Sequence, residues 1–258
     1  MDQYLLSFQK FFGVQIFTLR GFQDSRSLLL AAIVAVISLS FHEFAHAWVA
    51  LKNGDSTAKM QGRVTINPAS HLDVLGFLAF VFAGIGFAKP VPINQNNFNN
   101  RKKGIFCVAI AGITANLILA ILGAFFYVMF FYLYLKSDGQ NEKVYQLFID
   151  FFGLFATMNV SLIFFNLLPI HPLDGFRVFE SFANYNNRFV KYMRNYGQYI
   201  LLGLILISLI VNSVSAMPQY FDVLGTYLKF FGLNLVQLFV SLFGLLFYGQ
   251  WSFVLWTP

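Results

Sequence analysis

The sequence predicts an all-α protein that crosses a membrane several times, and three observations support this fold class. Hydrophobic residues make up 58% of the 258 residues, whereas charged residues make up only 11%. The mean hydropathy is +0.65. Apolar runs of about 18 or more residues recur along the chain, and each is long enough to cross a bilayer as a helix. Because no polar stretch between them is long enough to fold separately, we expect one membrane-embedded domain over residues 1–258.

The first part of the chain predicts one clear span and three less regular segments. Residues 4–19 are aromatic and apolar but interrupted by Lys10, which favours an amphipathic helix at the membrane surface. Residues 28–51 form the first span. Alternating side chains at 63–67 predict a short strand and, with it, a membrane-associated β-hairpin. Residues 72–88 are apolar but short, so they either cross the membrane or form a re-entrant segment.

Four further apolar runs predict the remaining spans. They cover about residues 105–135, 145–168, 198–216 and 220–250. The total is therefore five to six transmembrane helices, depending on how residues 72–88 are arranged. The last two spans form a C-terminal pair within 198–250.

The charge distribution indicates the surroundings of the protein. The formal net charge is +6, but the Lys and Arg residues lie in loops, where they orient a membrane protein and contact anionic lipid. We do not expect a nucleic-acid partner, because no soluble basic patch with stacking aromatics is present. The basic loop residues divide 11 to 5 between the two faces whether 72–88 spans or re-enters, so the charge distribution does not distinguish the two arrangements of this segment. We favour re-entry, because the helices 28–51 and 145–168 then end at the same face.

The middle of the first span carries the most informative motif, His42-Glu43-x-x-His46. Residues four apart lie on one face of a helix, so both imidazoles can bind one metal ion with the Glu43 carboxylate beside them. Charged groups inside a membrane are costly and mark functional sites. The alternative is a pair of core histidines hydrogen-bonded within the bundle, which leaves the neighbouring carboxylate unexplained. Cys107 is the only cysteine, which excludes a thiolate metal cluster.

A catalytic zinc site needs a third protein ligand, and few side chains can supply it. We prefer Asp174, because it follows Pro169 and Pro172, which end an apolar span, and its backbone can turn back toward the metal. The other candidates are His71, Asp73, Asp150, His171 and Glu180.

Five segments in the same order resemble the site-2 proteases, a family of intramembrane zinc metalloproteases. The motif at 41–50 is FHEFAHAWVA, and 54–73 resembles the family's segment after that helix. GFAKPVPIN at 86–94 is similar to its Gly-Trp-Ala-Lys-Pro-Val-Pro stretch. AGITAN at 111–116 resembles Ala-Gly-Pro-x-x-Asn, and FNLLPIHPLDG at 165–175 resembles Asn-x-x-Pro…Leu-Asp-Gly. The resemblance covers roughly residues 35–180 and is greatest to the small bacterial branch without an inserted peptide-binding domain.

This resemblance implies a specific chemistry. His42, His46 and Asp174 would bind one zinc ion per chain, Glu43 would be the general base, and Asn166 would assist at the reacting carbonyl. The catalytic core would cover about residues 28–180. The implied substrate is a single-span membrane protein cut in or near its transmembrane segment, and a regulatory protein is a further candidate partner. The implied location is a bacterial cell membrane.

Three residues depart from the family pattern. Phe87 replaces the usual Trp, Ile113 replaces a Pro, and His171 lies where Pro is common, close enough to Asp174 to compete as a ligand. Two other classes of function remain open. One is a membrane metallo-hydrolase that acts on something other than a transmembrane peptide. The other is a proteolytically inactive or non-peptidase metal-binding relative, or a metal transporter. An inactive relative is disfavoured because Glu43 and the ligands are present, and a transporter because the sequence shows no further intramembrane carboxylates or histidines to line a path.

Overall fold

The computed structural model describes residues 25–77, 88–183, 187–214 and 217–248. Seven α-helices lie wholly within these ranges: α1 (Ser25–Lys52), α2 (Thr57–Met60), α3 (Arg101–Lys136), α4 (Glu142–Leu167), α5 (Asp174–Phe182), α6 (Arg188–Ser213) and α7 (Val223–Tyr248). Short 3-10 turns lie at Pro68–Ser70, Gln95–Asn97 and Gln219–Phe221. The surface helix predicted at 4–19 lies outside the described residues.

Five of these helices are long and apolar enough to cross a membrane. They are α1, α3, α4, α6 and α7, and their most apolar 18-residue windows have mean hydropathies between 1.6 and 2.6. They coincide with the five predicted spans, with ends that differ by a few residues, except that α6 begins ten residues before its predicted start. The prediction of an all-α protein that crosses the membrane several times is therefore confirmed.

The long helix α3 is the centre of the bundle, since it contacts α1, α4, α5 and α7. Its side chain Leu119 belongs to a buried apolar cluster that also contains Val34 of α1 and Leu154 of α4. A second cluster joins Ala120 of α3 to Val160 of α4 and to α7. Helix α3 thus holds together the helices that carry the candidate site residues.

The outer faces of the bundle are apolar. On α6, Leu202, Leu206 and Ile210 are about half exposed, and on α7 Leu246 is 74% exposed. Contiguous apolar surface is rare on soluble monomers and marks contacts with partners or membranes. When lipid surrounds the helices, these apolar side chains are removed from contact with water.

The prediction of a β-hairpin at 63–67 is wrong, because the described residues form no strand. The segment after α2 is an irregular loop. Val64 packs against Ala47 of α1, Ala58 of α2 and Val91. The alternation of apolar and polar side chains does not correspond to a buried and an exposed face, because Ile66 is exposed and Arg63 is buried.

The ends of the 72–88 segment lie side by side. Leu72 and Ala88 form an isolated antiparallel bridge, and the backbone N–H of Lys89 donates to the carbonyl oxygen of His71 at 2.8 Å. The prediction that residues 72–88 form a re-entrant segment rather than a span falls mainly on residues 78–87, which lie outside the described residues.

Candidate metal centre

Three side chains from two helices bring their ligand atoms together inside the bundle. The Nε2 atoms of His42 and His46 are 2.9 Å apart, and the Asp174 Oδ2 atom lies 3.3 Å from the first and 3.2 Å from the second. All three residues are buried, with exposed fractions of 4–5%. Ligands at about 2.0–2.2 Å from a tetrahedral zinc ion are separated by roughly 3.3–3.6 Å. The triangle of ligand atoms is thus close to the size that zinc requires.

Local structure explains how these side chains meet. His42 and His46 are one turn apart on α1, so their imidazoles lie on the same face. Asp174 is the first residue of α5, which packs against α3 and α4. The neighbouring side chains Leu173 and Phe176 are 9% and 1% exposed and anchor this short helix. The break after α4 therefore turns a carboxylate back toward α1.

The outward-facing ring nitrogens define the tautomers of both histidines. His46 Nδ1 lies 2.7 Å from the Val108 carbonyl oxygen, which can only accept a hydrogen bond. His42 Nδ1 lies 2.6 Å from Asn116 Oδ1. With protons on both Nδ1 atoms, the two Nε2 atoms present lone pairs to the site. Contacts of this kind orient metal-binding histidines in known sites.

A chain of buried amides determines which way Asn116 faces. Asn159 Nδ2 donates to the Phe155 carbonyl oxygen at 2.8 Å and to Ser38 Oγ at 2.9 Å. Its Oδ1 atom must therefore accept, and it does so from Asn116 Nδ2 at 2.8 Å. The remaining Asn116 Oδ1 atom then faces His42. Both asparagines are fully buried, so this relay from α4 through α3 to α1 has no competing water.

The resulting centre consists of acceptors only. Two imidazole lone pairs and a carboxylate oxygen face one another, and Asp174 Oδ2 is buried without a hydrogen-bond donor. Such groups repel one another at these distances unless a cation lies among them. Two nitrogens and one oxygen are a donor set that suits zinc, with room for one more ligand. The residues present therefore fit a zinc ion.

Glu43 lies next to the ligands and is held from a distant part of the chain. Its Oε2 atom accepts a hydrogen bond from the backbone N–H of Val91 at 2.9 Å. Val91 lies between Pro90 and Pro92 in a segment without regular secondary structure, and its side chain is buried. The side chain of Arg63 donates to the carbonyl oxygen of Lys89 in the same segment. The Lys-Pro-Val-Pro stretch thus positions the carboxylate.

The structure does not bring Asn166 into this cluster. Its Nδ2 atom donates to the Leu162 carbonyl oxygen at 3.0 Å, one turn back on α4. The other candidate third ligands also have different contacts. His71 bonds the Thr65 carbonyl, and Asp73 caps the helical turn that follows it. Glu180 pairs with Arg194, Asp150 with Arg26, and the His171 ring packs against Phe176.

Sequence reasoning missed several residues that support the centre. Contacts between distant parts of the chain give Asn159, Val108 and Val91 their roles, and no local sequence pattern predicts such contacts. Gly112 appeared in the sequence analysis only as one residue of the AGITAN segment, without a role of its own. A Cβ atom there would lie 2.5 Å from His42 Cε1 and 2.5 Å from His46 Nε2. The absence of a side chain at this position makes room for the two imidazoles.

Comparisons with known proteins agree with this geometry. The pattern described as Peptidase family M50 matches residues 135–211, which include α4 and α5. "Putative zinc metalloprotease YwhC" of Bacillus subtilis (strain 168) is 41% identical over 150 residues, which cover 57% of this chain and 66% of that protein. "Putative zinc metalloprotease Rip2" of Mycolicibacterium smegmatis is 30% identical over 155 residues, which cover 58% of this chain and 55% of that protein.

The similarity to these relatives covers part of their length. The chain spans between half and two thirds of the curated relatives it matches. No solved structure matches the chain. The order of the motifs, the buried ligand triangle and the two kinds of match agree, and all of them indicate similarity to peptidase family M50, the family of the site-2 proteases.

Proposed function

We propose that this protein is a membrane-embedded zinc peptidase. It holds one zinc ion per chain at His42, His46 and Asp174, and it hydrolyses a peptide bond in or near the transmembrane segment of a single-span membrane protein. The observation that carries this proposal is the buried triangle of three acceptor atoms. Glu43 follows the ligand His42 directly in the chain, and its carboxylate accepts a hydrogen bond from the Val91 N–H. The names of the bacterial relatives, which specify zinc metalloproteases, support the same metal and reaction class.

The residues around the centre have the properties that peptide hydrolysis needs. A zinc ion bound there supplies Lewis acidity, which polarises a carbonyl and lowers the pKa of a water molecule. Glu43 accepts a proton from the attacking water and returns it to the leaving amine. The Val91 N–H holds one carboxylate oxygen, which leaves the other free for this transfer. Three protein ligands leave a position open, as in catalytic rather than structural sites.

The position of the site favours a substrate inside the membrane. His42 lies ten residues from the end of α1 at Lys52, which is about 15 Å along the helix. A peptide bond that reaches this depth belongs to a membrane-inserted segment or to its immediate end. Because the matched relatives are bacterial, we propose the bacterial cell membrane as the location.

The central experiment compares Glu43→Gln with the wild-type protein in the native membrane. The variant should keep zinc, while single-span substrates accumulate uncleaved and are identified by membrane proteomics. Glu142→Gln is the matched control, because Glu142 lies at the opposite end of α4 from the residues that lead to Asp174. Continued cleavage by Glu43→Gln would contradict the general-base role. Zinc binding without cleavage by the wild-type protein would favour an inactive metal-binding relative.

The role of Asn166 needs a separate experiment. We propose that its amide turns from the Leu162 carbonyl to donate to the carbonyl oxygen of the substrate, and loss of such a donor costs about 10²–10³ in kcat. Asn234→Ala is a matched control, because Asn234 also donates one turn back within a spanning helix. If Asn166→Ala and Asn234→Ala change only stability and to the same extent, the role of Asn166 is structural.

A further inference from the structure

A cleft of about 170 Å³ opens where the first turns of α3 and α6 meet the last turn of α5. Its wall has two chemically different parts. Ile105 and Val190 are buried and form an apolar floor, whereas Arg101, Lys102 and Arg194 contribute positive charge at the rim. An apolar floor beneath a basic rim matches a lipid at the level where the headgroup joins the acyl chains.

The positive charge of the rim is not fully neutralised by the protein. Arg194 pairs with Glu180, which is the one carboxylate among the described residues that line the cleft. Arg101 donates only to the neutral Gln95 side chain at 3.3 Å, and Lys102 has no carboxylate partner within the described ranges. Two cations are therefore available to an anion that enters the cleft.

The cleft lies at the depth of the headgroups. Arg101 and Lys102 come immediately before the apolar stretch of α3, which begins at Ile105. A 36-residue helix is about 54 Å long, so its ends extend beyond a hydrocarbon core of about 30 Å. The first turn of α3 thus lies in the interfacial region, where the phosphate groups of lipids are found.

The face of the bundle that carries the cleft is the basic one. The C-terminal end of α1 and the N-terminal end of α3 meet at this face, where Ala50 and Ile105 belong to one buried apolar cluster. Eleven of the fifteen Lys and Arg residues in the described ranges belong to this face, namely Lys52, Lys59, Arg63, Lys89, Arg101, Lys102, Lys103, Arg177, Arg188, Lys191 and Arg194. Such a bias is typical of the cytoplasmic side, whose leaflet carries anionic lipid.

We propose that this cleft binds the phosphate-bearing headgroup of an anionic lipid. Arg101 and Lys102 contact the phosphate, and Ile105 and Val190 contact the glycerol and the beginning of the acyl chains. The paired Arg194 and Glu180 close one side of the cleft. This proposal is independent of the peptidase function, because none of these residues belongs to the metal centre.

Lipid binding to the purified, zinc-loaded protein tests the proposal. Native mass spectrometry or titration in detergent micelles measures the affinity for phosphatidylglycerol, with phosphatidylcholine as the zwitterionic comparison and inorganic phosphate as the soluble one. Arg101→Gln/Lys102→Gln should weaken phosphatidylglycerol binding roughly 30-fold, as expected for two cations beside an anionic headgroup. Lys103→Gln/Lys191→Gln removes the same charge outside the cleft and should leave binding unchanged. Zinc content reports that each variant is folded.

Three results would overturn the proposal. The first is equal loss of phosphatidylglycerol binding in both double variants, which indicates general surface charge. The second is equal affinity for phosphatidylcholine and phosphatidylglycerol. The third is displacement of the lipid by inorganic phosphate at equal concentration, which assigns the cleft to a soluble phosphate.

Discussion

At the scale of single residues, the candidate centre depends on atoms that do not contact the metal. Val108 and Asn116 set the tautomers of the two histidines, and Asn159 sets the orientation of Asn116. Each of these partners is buried and comes from a helix other than α1. The ligands were predictable because their spacing is local, whereas these supporting contacts become visible only when α3 and α4 are packed against α1.

Gly112 provides the sharpest test at this scale. Gly112→Ala should reduce zinc affinity at least about tenfold, because the new Cβ atom lies 2.5 Å from both imidazoles and must displace them. Gly203→Ala is the control, since no atom lies within 4 Å of a Cβ there. A chelator competition assay measures both. Wild-type affinity in Gly112→Ala would show that the imidazoles do not occupy the positions described.

At the scale of elements, the irregular segment around Val91 connects the loop region to the first span through its hydrogen bond to Glu43. One end is held by Arg63 and His71 through Lys89. The other end is held by Asp55, which accepts from the backbone N–H of Asn94 at 2.7 Å. These anchors place the Val91 N–H against Glu43. The prediction of a strand at 63–67 was wrong, and the sequence alone did not show that the segment around Val91 lies against α1.

Val91→Pro tests the positioning role of this segment. Proline lacks the N–H group, so Glu43 loses its hydrogen bond, and we expect kcat to fall at least about tenfold while zinc content is unchanged. Val91→Ala keeps the N–H group and should retain most of the activity. If the two variants lose activity equally, the apolar side chain of Val91 matters and its N–H group does not.

The Asp55 anchor predicts a pH dependence of stability. Burial raises the pKa of this carboxyl, but hydrogen bonds from Thr57, Asn97 and Asn94 outweigh it and hold the pKa below its ordinary value. The depressed pKa means that the stabilisation is present above about pH 4 and is lost as the pH falls through the folded-state pKa. Asp55→Asn should cost about 2 kcal/mol at neutral pH and flatten this dependence.

Thermal unfolding between about pH 3 and pH 7 measures this effect. Asp138→Asn makes the same chemical change in an exposed turn and should alter neither the midpoint nor its pH dependence. A wild-type profile that is as flat as that of Asp55→Asn would contradict the role of the Asp55 carboxylate as a charged anchor.

At the scale of the whole molecule, the polar side chains of the candidate metal centre are buried inside a bundle whose outer surface is apolar. Large apolar side chains such as Leu206 and Leu246 face outward, whereas His42, His46 and Asp174 are buried between helices. The spans were predictable because apolar runs are long and local. The choice of Asp174 as third ligand depended on the proline break after α4, and the structure places its carboxylate, not the His171 ring, beside the two imidazoles.

The central claim is that two imidazoles and the Asp174 carboxylate bind one zinc ion. Metal analysis combined with zinc X-ray absorption of the purified protein measures this directly. The wild-type protein should contain about one zinc per chain, bound through two imidazole nitrogens and a carboxylate oxygen. His171→Ala should retain this zinc, whereas Asp174→Asn should lose most of it. Full zinc in Asp174→Asn together with its loss in His171→Ala would contradict the account.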